Sequence, residues 1–130
     1  MNRVDPLIAL ELPGEPHSAK VARAAVAGLD GHLGPVLSDV VLVISELVTN
    51  SVRHAGIDAS EPVQLSVNVD GDTVRVAVRD LGPGFEPPPA PSDPAHVGGW
   101  GLVLVDQLAE RWGVEHDGEA NVVWCELRRR

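Results

Sequence analysis

The chain has 130 residues, a formal charge of −9, 44% hydrophobic and 22% charged residues, three Trp, one Phe and a single Cys. That length suits one domain, residues 1–130, with one core, which Val, Leu and Ala must fill because aromatic residues are so few. The acidic balance disfavours non-specific binding to nucleic acid or an anionic membrane, and one cysteine excludes an internal disulfide, in keeping with a reducing cytoplasm. A solvated acidic surface accounts for the charge; a basic protein partner is the other reading. No signal peptide is expected, since Asp5, Pro6 and Glu11 interrupt the opening residues, and the apolar runs are too short to span a bilayer.

Leu7 to Leu12 reads as a short strand, ended by Pro13, Gly14 and Pro16. A helix is expected from Ser18, a candidate N-cap, to about Leu29. After a short loop, Pro35 opens a long helix to His54, with Gly56 as its stop. In that helix Leu37, Val40, Val41, Ile44, Leu47, Val48 and Val52 form a core stripe at helical spacing. Glu46, Asn50, Arg53 and His54 fall together on another face, with Ser45 and Thr49 at its border. A carboxylate, a carboxamide and a guanidinium in one line are more polar than a buried helix requires, so something is expected to lie against that face.

Ile57 to Glu61 reads as a polar loop. Val63, Leu65, Val67 and Val69 alternate with polar residues up to Asp70-Gly71, and Val74, Val76 and Val78 alternate on the return strand. Each strand has one apolar and one polar face, as in an antiparallel sheet covered on one side. Phe85 to Val97 holds five prolines and no apolar periodicity; a loop this long in a small domain is a lid or a disordered segment. A third helix is expected from Gly101 to about Trp112. A final hairpin joins Val114–His116 to Asn121–Leu127, and Arg128, Arg129 and Arg130 form a frayed tail with no specific role. The order of elements argues for an α+β two-layer sandwich, with a mixed, mostly antiparallel sheet and helices on one face.

Counting by two from Val74 reaches Asp80, which therefore ends the core-facing row of its strand. A carboxylate there is costly unless paired. Gly82 and Gly84 follow at once and permit tight turns and close ligand approach. A buried acid bonded to backbone amides remains open as the simpler reading. Gly98-Gly99-Trp100-Gly101 runs into a helix, which suits either an anion at the helix N-terminus or a hinge. The single lysine, Lys20, lies outside any P-loop, and no dinucleotide fingerprint, zinc pattern or Gly-x-Ser-x-Gly elbow is present.

In order and spacing, Glu46-x-x-x-Asn50, Asp80-x-Gly82-x-Gly84 and Gly99-x-Gly101 resemble the GHKL ATPases, whose fold is a Bergerat-type, histidine-kinase-like sandwich. Ser45-Glu46-Leu47-Val48-Thr49-Asn50-Ser51-Val52-Arg53-His54-Ala55 is similar to the N-box of the single-domain anti-sigma factor serine/threonine kinases. So are His17 to Arg23, Leu102 to Val114 and Val123 to Leu127, and the resemblance covers essentially the whole chain.

The resemblance implies ATP and Mg²⁺ as ligands. Asn50 would hold the Mg²⁺ that bridges the phosphates, and oxygen ligation suits that hard cation. Glu46 would be the general base. Asp80 would accept from the adenine amino group, with Gly82 and Gly84 admitting the base. Gly99 and Gly101, flanked by Trp100 and Leu102, would meet the phosphates, with Arg53 and His54 nearby, and residues 85–98 would be the lid. Expected partners are a sigma factor or a STAS-type anti-anti-sigma protein phosphorylated on Ser or Thr; a helix-mediated homodimer is also implied, and nucleic acid and membrane are not. Two departures stand out: the lid lacks Lys or Arg, and Trp100 is a bulky residue between glycines. The unusual lid and the acidic charge motivate an alternative, a nucleotide-gated module that sequesters a sigma factor or other regulator without phosphotransfer. A histidine kinase is disfavoured because the chain has no room for a dimerising helical domain.

Overall fold

The computed structural model describes residues 7–54, 62–81, 100–118 and 120–129. Their elements are β1 (Ile8–Leu12), α1 (His17–Ala27), α2 (Asp30–Leu33), a 3₁₀ turn (Gly34–Val36), α3 (Leu37–His54), β2 (Val63–Asp70), β3 (Thr73–Asp80), α4 (Trp100–Leu108), β4 (Arg111–Asp117) and β5 (Ala120–Arg128). The five strands form one sheet in the order β1-β2-β3-β5-β4, and every neighbouring pair is antiparallel. The expected α+β sandwich is therefore present, and its sheet is antiparallel rather than mixed.

Alternation builds the sheet as expected. Val63, Leu65, Val67, Val74, Val76, Val78, Val123, Cys125 and Leu127 are all buried, while the residues between them are less covered. The helices supply the other half of the core. Val40, Val43, Ile44, Leu47 and Val48 of α3 are fully buried, and α3 packs on α1, α4, β2 and β3. Val43 joins a stripe that the helical spacing assigned to its neighbours, because α3 is covered on more than one side.

Four boundaries differ from expectation. Ser18 is not an N-cap: Pro16 holds that position without a side-chain cap, and Ser18 lies buried inside the first turn with its Oγ donating to Pro13 O at 2.5 Å. The long helix starts at Leu37, not Pro35, because Pro35 falls in the 3₁₀ turn Gly34–Val36, which Gly34 opens with φ 59. The third helix stops at Leu108, and Trp112 belongs to β4, where it pairs with Cys125 and donates Nε1 to Asp106 Oδ1 at 2.9 Å. Arg128 and Arg129 are not frayed: Arg128 pairs with Glu110 at 3.0 Å, and Arg129 Nη1 donates to His32 O at 3.0 Å. Arg130, Gly56 and the Ile57–Glu61 loop lie outside the described residues.

Among the described residues one stretch, Gly31–Arg53, is long and apolar enough by composition to cross a membrane, so run length alone did not exclude a span. In the fold it is broken into the end of α2, the 3₁₀ turn and α3, and Leu33, Val36, Val40, Val43, Ile44, Leu47, Val48 and Val52 are buried in the core while Leu42 is exposed.

Candidate functional site

On α3 the polar face is real. Asn50 is 7% exposed, Glu46 and Thr49 are half-buried and Arg53 is exposed. Glu46 and Asn50 lie one turn apart, as the four-residue step requires. His54 is the last residue of α3. Ser51, beside Asn50, is buried, and its Oγ makes no hydrogen bond among the described residues.

Asp80 closes β3 and is 2% exposed, so the core-facing assignment holds. It stands opposite Asn121 of β5, which in turn stands opposite His116 of β4. Asn121 is 3% exposed and donates Nδ2 to Asp80 Oδ1 at 3.3 Å, and His116 Nδ1 lies 3.0 Å from Asn121 Oδ1. The buried carboxylate thus bonds a carboxamide from the neighbouring strand, a partner that sequence reasoning missed. The signal was available: counting back by two from Leu127, Cys125 and Val123 lands on Asn121.

Trp100, Gly101 and Leu102 are the first residues of α4, which packs on α3. Gly82, Gly84, Gly99 and the lid stretch 85–98 lie outside the described residues.

Between α1 and α3 runs a groove of about 370 Å³, lined by Pro16, Ala19, Lys20, Arg23, Thr49, Val52 and Arg53. It collects three of the ten Lys and Arg in a chain of charge −9. Arg23 Nη1 donates to Ser45 Oγ at 2.8 Å, which ties α1 to α3 one residue before Glu46. A groove of about 390 Å³ on the open sheet face, among Ala9, Glu11, Gln64, Ser66 and Ala77, holds none of the residues singled out above. Cys125 is buried, and burial pushes its thiol up to about 12 against a smaller opposing pull from Arg75, so it is no nucleophile at neutral pH.

The donor set is selective about what it could hold. Among the described residues no group of three His, Cys, Asp or Glu could hold a metal ion. A cation at Asn50 would need most of its oxygens from a ligand and water, which suits Mg²⁺ on phosphates and not a dedicated protein cage. A buried, oriented carboxylate at a strand end suits a hydrogen-bond donor on a planar base.

The molecule is thus an antiparallel sheet covered by helices on one face, with the Asp80 carboxylate at a strand end and the Asn50 carboxamide on the central helix. The match to a family model follows the same lines: residues 12–127 match the histidine kinase-like ATPase domain. The chain belongs to that family. It is 38% identical over 84 residues to an uncharacterised protein of Streptomyces coelicolor, covering 64% of this chain and 79% of that one. It is 28% identical over 132 residues to the serine-protein kinase RsbW of Listeria monocytogenes, covering 89% of this chain and 83% of the relative. Among solved structures, the RsbU and RsbW domains of Rv1364c from Mycobacterium tuberculosis superpose with a TM-score of 0.65 at 22% identity, over 93% of this chain and 32% of that longer one. The histidine kinase domain of the Erythrobacter litoralis EL346 blue-light activated kinase superposes with a TM-score of 0.56 at 24% identity, over 99% of this chain and 65% of that one.

Proposed function

We propose that the protein binds ATP with Mg²⁺ and phosphorylates a Ser or Thr of a STAS-type anti-anti-sigma protein, acting as an anti-sigma regulator in the cytoplasm and folding as one domain over residues 1–130. The observation that carries this reading is Glu46 and Asn50 one turn apart on α3, together with Asp80 buried at the end of β3. The kinase names of the relatives support it at the level of class.

Phosphoryl transfer asks a protein for positioning and charge neutralisation more than for covalent chemistry. Asp80 accepts a hydrogen bond from the adenine amino group and so fixes the base. Asn50 would hold Mg²⁺ through its carboxamide oxygen, and the ion would supply neutralisation of phosphate charge. Glu46 takes the proton of the attacking hydroxyl. In this reading Gly82 and Gly84 would admit the base, and Gly99, Trp100, Gly101 and Leu102 would meet the phosphates, with backbone amides at the start of α4 as donors. Arg53 follows Asn50 by three residues on α3 and belongs to the same side, as does His54. The cationic groove of Lys20, Arg23 and Arg53 then suits an acidic stretch of the protein that brings the hydroxyl.

A second reading has its own motivation. Residues 85–97 contain no Lys or Arg to meet a terminal phosphate, which favours nucleotide-gated sequestration of a sigma factor without phosphotransfer. Incubation with γ-labelled ATP and a STAS-domain protein separates the two. Phosphate on the partner, at a rate lowered roughly 10²- to 10⁴-fold by Glu46→Gln with ATP affinity kept, is the outcome expected of a kinase. ATP-dependent complex formation without label, or labelling indifferent to Glu46→Gln, contradicts the assignment of Glu46.

A further inference from the structure

We infer that Leu42 sets the choice of protein substrate by seating an apolar side chain of that substrate one helical turn from the accepting Ser or Thr; the inference rests on the reading of Glu46 as the base for a protein hydroxyl. Among the described residues three large apolar side chains stand in solvent, Val21, Leu42 and Leu81, each 42% exposed. Leu42 is the one on α3, and the other apolar residues of that helix are buried or half-buried.

A single exposed leucine is ordinary on a protein surface; this one stands out by its position. Leu42, Glu46, Thr49 and Arg53 stand at i, i+4, i+7 and i+11, which makes one row along one face of a helix. Leu42 and Arg53 are exposed at its ends, and Glu46 and Thr49 are half-buried between them. Thr49 and Arg53 also line the cationic groove with Lys20 and Arg23. Arg23 Nη1 in turn donates to Ser45 Oγ at 2.8 Å, three residues from Leu42. Leu42 therefore continues the groove past Glu46.

One row thus presents an apolar side chain, a carboxylate and a cation in order. A standard protein–protein contact covers about 800 Å² per partner, far wider than one turn of helix, so a partner whose hydroxyl reaches Glu46 covers the neighbouring turns as well. Its acidic stretch meets the groove by charge. On the other side of Glu46 the helix carries no charge before Asp39, which lies in the first turn of α3, where the helix's own positive end accounts for it. A polar group laid over Leu42 would lose water without gaining a bond from that side chain, so the group that gains most there is apolar. Leu42 stands about 6 Å along the axis from Glu46, and that is how far the apolar group lies from the accepting hydroxyl.

The test uses the full chain, γ-labelled ATP and the STAS-domain protein that the wild type labels fastest. Leu42→Ala should raise KM for that protein about 3- to 10-fold and Leu42→Asp about 10- to 100-fold, with kcat and the calorimetric affinity for ATP kept. Leu42→Met should restore the wild-type KM. Val21→Asp places the same charge at the same exposure on α1 and should leave KM within about twofold. A KM unchanged in Leu42→Asp, a loss confined to kcat, or an equal rise in Val21→Asp would each overturn the inference. An unchanged KM together with a dimer lost in light scattering would give Leu42 to a second copy of the chain instead. A wild type that binds ATP and labels no STAS-domain protein removes the kinase reading, and the inference falls with it. A wild type that labels the partner but is indifferent to Leu42→Asp removes this inference alone.

Discussion

Asp80 is a carboxylate in a place built for valines. Val74, Val76 and Val78 precede it on the same face of β3, and all three are 0% exposed. Local alternation predicts that position without any tertiary knowledge. Its bond to Asn121 is a different matter. β3 and β5 are separated in sequence by α4 and β4, so no local pattern says that residues 80 and 121 are paired. Ser51 presents the opposite case, a buried hydroxyl with no hydrogen bond among the described residues. Such a group costs about 1–3 kcal/mol, so Ser51→Ala is expected to raise the midpoint of thermal unfolding, and a lower midpoint would show that the hydroxyl has a partner. Cys125 gives a pH signature. Its thiol is pushed up to about 12 from 9.0 by burial, so its contribution to stability is full below about pH 9 and is lost as pH rises toward 12. Between those limits the unfolded chain ionises and the folded one does not. Denaturant unfolding of wild type should weaken across that window, and Cys125→Ala should lack that component of the slope.

At the scale of elements, α3 organises the rest. Its sequence showed both the core stripe and the polar face, because helical spacing is local information. Ile44 is 0% exposed at its centre, and Ile44→Ala should cost about 2–5 kcal/mol in denaturant unfolding. A loss below 1 kcal/mol would mean that the helix packs more loosely than described. Helix ends were less legible. Gly34 adopts a conformation that only the tertiary setting reveals, and α4 gives way to strand because Glu110 N donates to Glu126 O at 2.8 Å. That bond starts the β4/β5 pairing and pulls Trp112 out of the helical register. β4 also explains one glycine. A Cβ at Gly113 would lie 3.2 Å from the Trp124 ring, over which Arg75 Cζ sits 4.5 Å from the centroid. Gly113→Ala should therefore displace the indole and change its fluorescence, while the buried face of the sheet keeps its packing.

For the molecule as a whole, charge and site point in opposite directions. The chain carries −9, yet Lys20, Arg23 and Arg53 gather between α1 and α3, beside the face that bears Asn50. Sequence reading saw the acidic total and assigned it to solvation or a basic partner. It did not see the cationic groove, because residues 20, 23 and 53 meet only when α1 packs on α3. The fold class was legible because α1, α3, β2, β3 and β5 announce themselves by period, while the start of β4 reads locally as the end of the third helix. The site was legible where its residues share one helix or one strand, and hidden where it depends on which strands are neighbours.

The central claim is a nucleotide site anchored by Asp80, and calorimetric titration of ATP in Mg²⁺ into wild type and Asp80→Asn tests it most directly. The account predicts Mg²⁺-dependent binding by wild type, weakened about 10- to 100-fold in Asp80→Asn, the loss of one charge-assisted hydrogen bond. Equal affinity in the two proteins, or no binding by wild type, would contradict it.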